Sequence, residues 1–149
     1  MKLKFESGKT YSHSTGHSCA FRQWRADSHC NLIHGYALQF ELTFGSKKLD
    51  ERNWVVDFGG LKELKQWLKN NFDHKITVAK DDEQIDRILK LQDEGLAEVV
   101  VMNGVGCEKF AEHAFHFAND LVSKQTNGRC FCVSCEVREH GANSAIYEG

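Results

Sequence analysis

The 149-residue sequence contains no proline. Its turns and helix ends must therefore be made by glycine and by short polar clusters. Long apolar runs are missing too. Val99-Val100-Val101-Met102 falls far short of the roughly 20 residues that a membrane-crossing helix requires. The N-terminus, Met1 to Glu6, has two lysines but no hydrophobic stretch behind them, which argues against a secretory leader and for the cytoplasm. No charge of one sign predominates. Nineteen basic residues stand against twenty-one acidic ones, net -2, so no strong field favours nucleic acid as a main partner. Repeats, low-complexity tracts and linkers are absent, and one domain spanning 1–149 is expected.

Aromatic residues are abundant, with ten Phe and three Trp, enough for a packed core. Six Cys and eight His stand out. Without an export signal the cysteines read as free thiols rather than disulfides. Along the chain, 9–15 reads as extended and 18–30 as a loop. Residues 33–44 form the clearest strand, with His34, Tyr36, Leu38, Phe40, Leu42 and Phe44 on one face. Trp54-Val55-Val56 reads as a short return strand, followed by a helix through Leu61, Leu64, Trp67 and Leu68. A second helical piece carries Ile85, Ile88 and Leu89. Residues 97–102 read as a buried strand and 108–124 as the longest helix. Residues 129–139 alternate as a strand, with Phe131, Val133, Cys135, Val137 and Glu139 on one face, and 144–147 form the last strand. Strand pair, helices, strand pair implies an α+β fold with an antiparallel sheet.

Three constellations carry chemistry. His17 and His34, on strands that can pair, suit a catalytic zinc with three protein ligands and one open position. The alternative is scattered surface histidines. Cys30, four residues before His34, is a candidate base or nucleophile, since a nearby cation lowers a thiol pKa. Asp73-His74 has the composition of a proton relay, or it decorates a helix end. Glu139 follows β-branched residues on an apolar face, where a carboxylate needs a donor. A pterin or guanine, with adjacent N–H and NH₂ groups, would supply a bidentate one, unless the strand has already reached solvent. Cys132 and Cys135, in a C-x-x-C, would point to opposite faces of a strand. His113 and His116 lie three apart on a helix and more often cap an edge.

Together these segments resemble the 6-pyruvoyl-tetrahydropterin and 6-carboxytetrahydropterin synthase family. Ser14-Thr15-Gly16-His17 is similar to its first zinc-ligand segment. Cys30 to Gly35 resembles its Cys-x-x-x-His-Gly-His, and Val55 to Lys62 its Asp-Phe-x-x-Leu-Lys. Phe72-Asp73-His74 is similar to its Leu-Asp-His. Gly106-Cys107-Glu108 stands where the family has Pro-Thr-x-Glu. Val137-Arg138-Glu139 and Ala145-Ile146-Tyr147 resemble its C-terminal motifs. There are two departures: Tyr36 replaces the second motif His, and the Thr of the helix start is absent. The resemblance implies a tunnelling fold (T-fold), a four-stranded antiparallel sheet with helices on one face. Subunits would join into barrels, commonly a hexamer, with active sites at subunit interfaces. It implies a lyase acting on 7,8-dihydroneopterin triphosphate, zinc holding the side-chain oxygens and Cys30 as base. Asp73 and His74 would relay a second proton, and Glu139 would anchor the ring with Glu108 nearby.

The reading favoured is 6-carboxytetrahydropterin synthesis on the queuosine route. Alternatives are 6-pyruvoyl-tetrahydropterin synthesis or a zinc-less, non-catalytic pterin- or purine-binding relative. For the missing ligand, antiparallel register nominates His13, brought closer by a bulge near Gly16, with His29 as competitor.

Overall fold

Alternation of apolar and polar residues builds the spine of the molecule. The computed structural model describes residues 2–15 and 17–149. Its longest strand, β3, runs His34–Ser46, with Leu38, Phe40, Leu42 and Phe44 fully buried on one face. Its near end pairs antiparallel with β2 (His17–Phe21) and its far end with β1 (Phe5–Tyr11). On its other side lies β6 (Cys130–His140), followed by the edge strand β7 (Asn143–Glu148). Two short strands, β4 (Lys75–Ala79) and β5 (Val99–Met102), extend the sheet beyond β2 in parallel register.

The fold is thus α+β, as expected, but the sheet has seven strands rather than four and is mixed rather than antiparallel. Helices α1 (Lys62–Phe72) and α3 (Cys107–Gln125) bury Leu64, Leu68, Phe72, Phe110, Ala114 and Ala118 against one face of the sheet. The short α2 (Ile85–Asp93) packs against β4 and β5 through Ile88. Burying even one of these large side chains contributes about 1.5–3 kcal/mol, so this face holds most of the stability. The opposite face carries Ala37, Gln39, Glu41 and Thr43 of β3, exposed or half-buried.

Four local expectations change. Trp54-Val55-Val56 is not a strand. Asp50 Oδ1 accepts from the Arg52 and Trp54 amides at 2.8 and 3.0 Å, and Arg129 donates to the carbonyls of Lys48, Trp54 and Val55. A guanidinium thus satisfies backbone that a partner strand would otherwise have to satisfy. Residues 75–79 form a strand in a stretch read as leading to a helix. Residues 18–21 belong to β2, and the extended start ends at Tyr11, where His13–Thr15 make a 3₁₀ turn.

In β6, Thr43 faces Ser134 while Phe44 faces Cys132, so Val133 is an extra residue in the ladder. This bulge flips the alternation and turns both Cys132 and Cys135 into the core, not to opposite faces. Burial pushes the Cys132 thiol up to about 12 and raises that of Cys135 further.

Candidate active site

The register of β2 on β3 decides which predicted residues can meet. His17 lies opposite Leu38, Cys19 opposite Tyr36, and Phe21 opposite His34. Residues paired in this way share a face, so Phe21, not His17, faces His34. His17 lies four residues back along β2, about 13 Å away at 3.3 Å per residue.

At the His34 end, four segments converge. The loop after β2 is tied down by Gln23, whose amide donates to the Cys30 carbonyl at 2.9 Å. Gln23 Nε2 donates to the Val105 carbonyl at 3.0 Å, joining this loop to the start of α3. Gly106 caps that helix at φ 109, a conformation open chiefly to glycine, and a Cβ there would collide with Gln23. The turn bearing Cys30 is held by Arg22, which donates to the Asn31 carbonyl at 3.1 Å. Arg22 also forms a two-bonded pair with buried Asp82 at 2.8 and 2.9 Å, and this guanidinium holds the Asp82 carboxyl below its ordinary range.

Glu139 reaches this cluster from a second irregularity in β6. The ladder with β7 slips between Arg138 and His140, which leaves Glu139 unpaired there, and alternation with the buried Cys135 and Val137 puts its side chain on the sheet's inner face. Its carboxylate sits against the Tyr36 phenol and the Cys107 thiol. Burial, then Glu139, then Cys30 and Cys107 raise the Tyr36 pKa. Burial, then Glu139 and Glu108, push Cys107 up to about 12. Glu139 is half-buried with donors, not merely in solvent. Glu108 stands exposed in the first turn of α3. Five of the six cysteines are buried, and Cys30 alone is half-exposed. A cleft of about 590 Å³, lined by Arg22, Asn31, Leu32, Ile33 and Arg87 among others, opens beside it.

Asp73 and His74 lie at the other end of β2. His74 Nδ1 is 2.8 Å from Asp73 Oδ1, which also accepts from the Ser18 amide at 3.4 Å. The ring is largely exposed, and its backbone sits at φ 57 where α1 hands over to β4. The pair has relay geometry, but within one chain it does not reach the Cys30–Glu139 cluster.

Nor do the three nominated zinc ligands share a point. His17 is buried edge-on between Tyr11 and Phe40, with centroids 6.4 and 5.8 Å away. Among the described residues its Nδ1 has no partner, and burial lowers its pKa. His13 lies in the 3₁₀ turn, with Nδ1 on the Ala37 carbonyl. Tyr36 does not lie beside Thr15, as the register argument for His13 required. Gly16, where a bulge was expected, lies outside the described residues. Among the described residues, no three His, Cys, Asp or Glu side chains gather closely enough to hold a metal ion. Tyr36 and Cys107 were visible in the sequence only as departures from the family's segments. Gln23 and His140 gave no signal.

The profile of the family described as 6-pyruvoyl tetrahydropterin synthase matches residues 10–149. The chain belongs to this family. It is 30% identical over 106 residues to a 6-carboxy-5,6,7,8-tetrahydropterin synthase of Rickettsia bellii, covering 70% of this chain and 74% of that one. A protein of the same name from Aquifex aeolicus is 26% identical over 91 residues, covering 54% and 56%. Among solved structures, an uncharacterized protein of Wolinella succinogenes superposes with a TM-score of 0.81 at 17% identity, covering 97% of each chain. The 6-pyruvoyl tetrahydropterin synthase of Plasmodium vivax gives 0.65 at 14%, covering 97% and 98%. These likenesses establish the T-fold and a pterin synthase-type function. No helix among the described residues is long and apolar enough to cross a membrane.

Proposed function

We propose that this family member is a lyase that converts 7,8-dihydroneopterin triphosphate to 6-carboxytetrahydropterin, a step in 7-deazaguanine precursor synthesis. The observation that carries the reading is the placement of Glu139. Strand alternation with the buried Cys135 and Val137 puts its carboxylate on the sheet's inner face, and both it and Cys30, the one accessible thiol, border Tyr36. A carboxylate so placed accepts two hydrogen bonds from the N–H and NH₂ edge of a pterin. Cys30 then lies where the side chain of the bound ring would be, and as thiolate it removes a proton from a side-chain carbon. The names of the Rickettsia and Aquifex relatives support this product over 6-pyruvoyl-tetrahydropterin.

The Asp73–His74 pair supplies the second proton transfer from a neighbouring subunit. Its distance from Cys30 within one chain, the polar open face of the sheet and the free edges of β5 and β7 all support self-association. No step is assigned to zinc, because the three nominated imidazoles do not converge. The test is incubation of the purified protein with 7,8-dihydroneopterin triphosphate. The expected products are 6-carboxytetrahydropterin, acetaldehyde and triphosphate. Triphosphate release with all side-chain carbons retained would favour the 6-pyruvoyl product. Ring binding without turnover would leave a pterin-binding protein.

A further inference from the structure

Around His34 the side chains are aromatic where a metal site would need lone pairs. The Phe21 ring lies 5.3 Å from that of His34 and 6.0 Å from that of Tyr36, and His34 and Tyr36 are 5.4 Å apart, edge to face. Phe110 closes the cluster from α3, 5.2 Å from Phe21. Phe21, His34 and Tyr36 each neighbour the other two, so three positions of the β2–β3 pair aim at one small volume.

Their donor inventory is short. Phe21 is 1% exposed and has no lone pair to give. The Tyr36 phenol keeps its proton beside the Glu139 carboxylate. His34 Nδ1 donates to the Leu32 carbonyl at 2.7 Å, which leaves Nε2 as its one lone pair. His140, 5.9 Å from Tyr36, has Nδ1 accepting from the Ala142 amide at 3.1 Å and Nε2 against Asn143 at 3.4 Å. Glu139 stands beside Tyr36 and Cys107 and Cys30 at the rim, and among the described residues these carboxylate, thiol and imidazole groups do not gather into a set of three that could hold a metal ion. Zinc needs three protein donors about 2.0–2.3 Å from one point, and this volume offers one free imidazole nitrogen.

We infer that Tyr36 and His34, backed by the buried Phe21, form a metal-free aromatic wall for the bound ring and its side chain, with His34 Nε2 as its acceptor for a substrate hydroxyl. The wall rests on the functional reading above only for the identity of the ligand. Its lack of metal rests on the donor set alone. Two rings presenting carbon where nitrogen would ligate also make the site specific: it favours flat, uncharged surface over a bridging cation.

The test is the metal content of the full-length protein, purified without chelator from zinc-supplemented cells and read by elemental analysis without substrate. The inference expects wild type to hold under about 0.1 zinc per chain. The F21H/Y36H variant places three imidazoles on one face and should hold about one, lost again when His34→Ala is added. Titration of wild type with zinc against a chromophoric chelator should show binding at least about 100-fold weaker than that of F21H/Y36H. Stoichiometric zinc in wild type that His34→Ala removes would overturn the inference, whether or not the double variant folds. A folded double variant that gains no zinc would overturn the placement of Phe21 opposite His34. Product formation from 7,8-dihydroneopterin triphosphate should survive excess EDTA. If no product forms at all, the functional reading fails while the metal analysis still decides the wall.

Discussion

The two ends of β2 receive similar residues and use them differently. At its start, His17 is sealed between Tyr11 and Phe40 with an unpartnered nitrogen, and the exposed Asp73–His74 pair lies nearby. At its finish, His34 keeps one nitrogen free and borders Tyr36, near an accessible thiol and the inward-facing Glu139 carboxylate. Four residues of strand separate an imidazole packed between aromatic rings from the position facing His34, the imidazole proposed for a chemical role. Residue type did not decide this; the register of β2 on β3 did.

Separate inactivation of the two ends gives the largest expected effect. Cys30→Ala should fold normally and lose two to four orders of magnitude in turnover, roughly the worth of a general base. Asp73→Asn should lose turnover while retaining pterin binding. If neighbouring subunits supply the two ends, refolding the two variants together should restore turnover that neither shows alone. Near-native turnover of Cys30→Ala, measured by product formation, would remove the thiol from the mechanism.

The next effect is on stability. Asp82→Asn strands the partly buried Arg22 and should cost about 3 kcal/mol in denaturant unfolding. The folded-state pKa of Asp82 is depressed, so its contribution is complete above the ordinary value of 3.8 and fades as pH falls below it. The variant should therefore lose less stability than wild type across that acid range. Because this pair holds the Cys30 turn, turnover should also fall, in proportion to the disorder of that turn.

Glu139→Gln should weaken pterin binding by about 2 kcal/mol, roughly 30-fold, because an amide NH₂ would face a ring donor. Unchanged affinity in a fluorescence titration would return Glu139 to a structural role.

The smallest effect belongs to His17. His17→Phe removes a polar atom that has no partner, and stability at pH 7 should change by less than about 1 kcal/mol or rise. Burial lowers the folded-state pKa of His17 below its ordinary 6.5, so the unfolded chain binds the proton first and stability declines as pH drops through that region. The variant should lose that part of the decline, with turnover unaffected. A large loss of turnover would make the sealed end functional and break the comparison.

Much of the fold was legible because its signals are periodic. The alternation of β3 and the apolar stripe of α3 each come from one face meeting the core. Cys30, His34 and Glu139, the residues proposed to carry chemistry, stood out by type and spacing. What sequence could not show is register and irregularity. Pairing of His17 with His34 assumed a register four residues off the observed one, in which His17 faces Leu38 and Phe21 faces His34. The bulge at Val133 reverses the faces of the first part of β6, so that Cys130 and Cys132 join Cys135 and Val137 in the core. The segment at Trp54 reads as a strand by composition, yet Arg129, 75 residues away, takes its carbonyls. Such long-range satisfaction leaves no local pattern.

The most direct measurement is a crystal structure of the protein with neopterin bound. The ring edge should lie within hydrogen-bond distance of both Glu139 carboxylate oxygens, its side chain towards Cys30, and its face near Tyr36. A ring seated over His17, or in the cleft lined by Phe5, Trp54 and Phe58, with no Glu139 in contact, would contradict it.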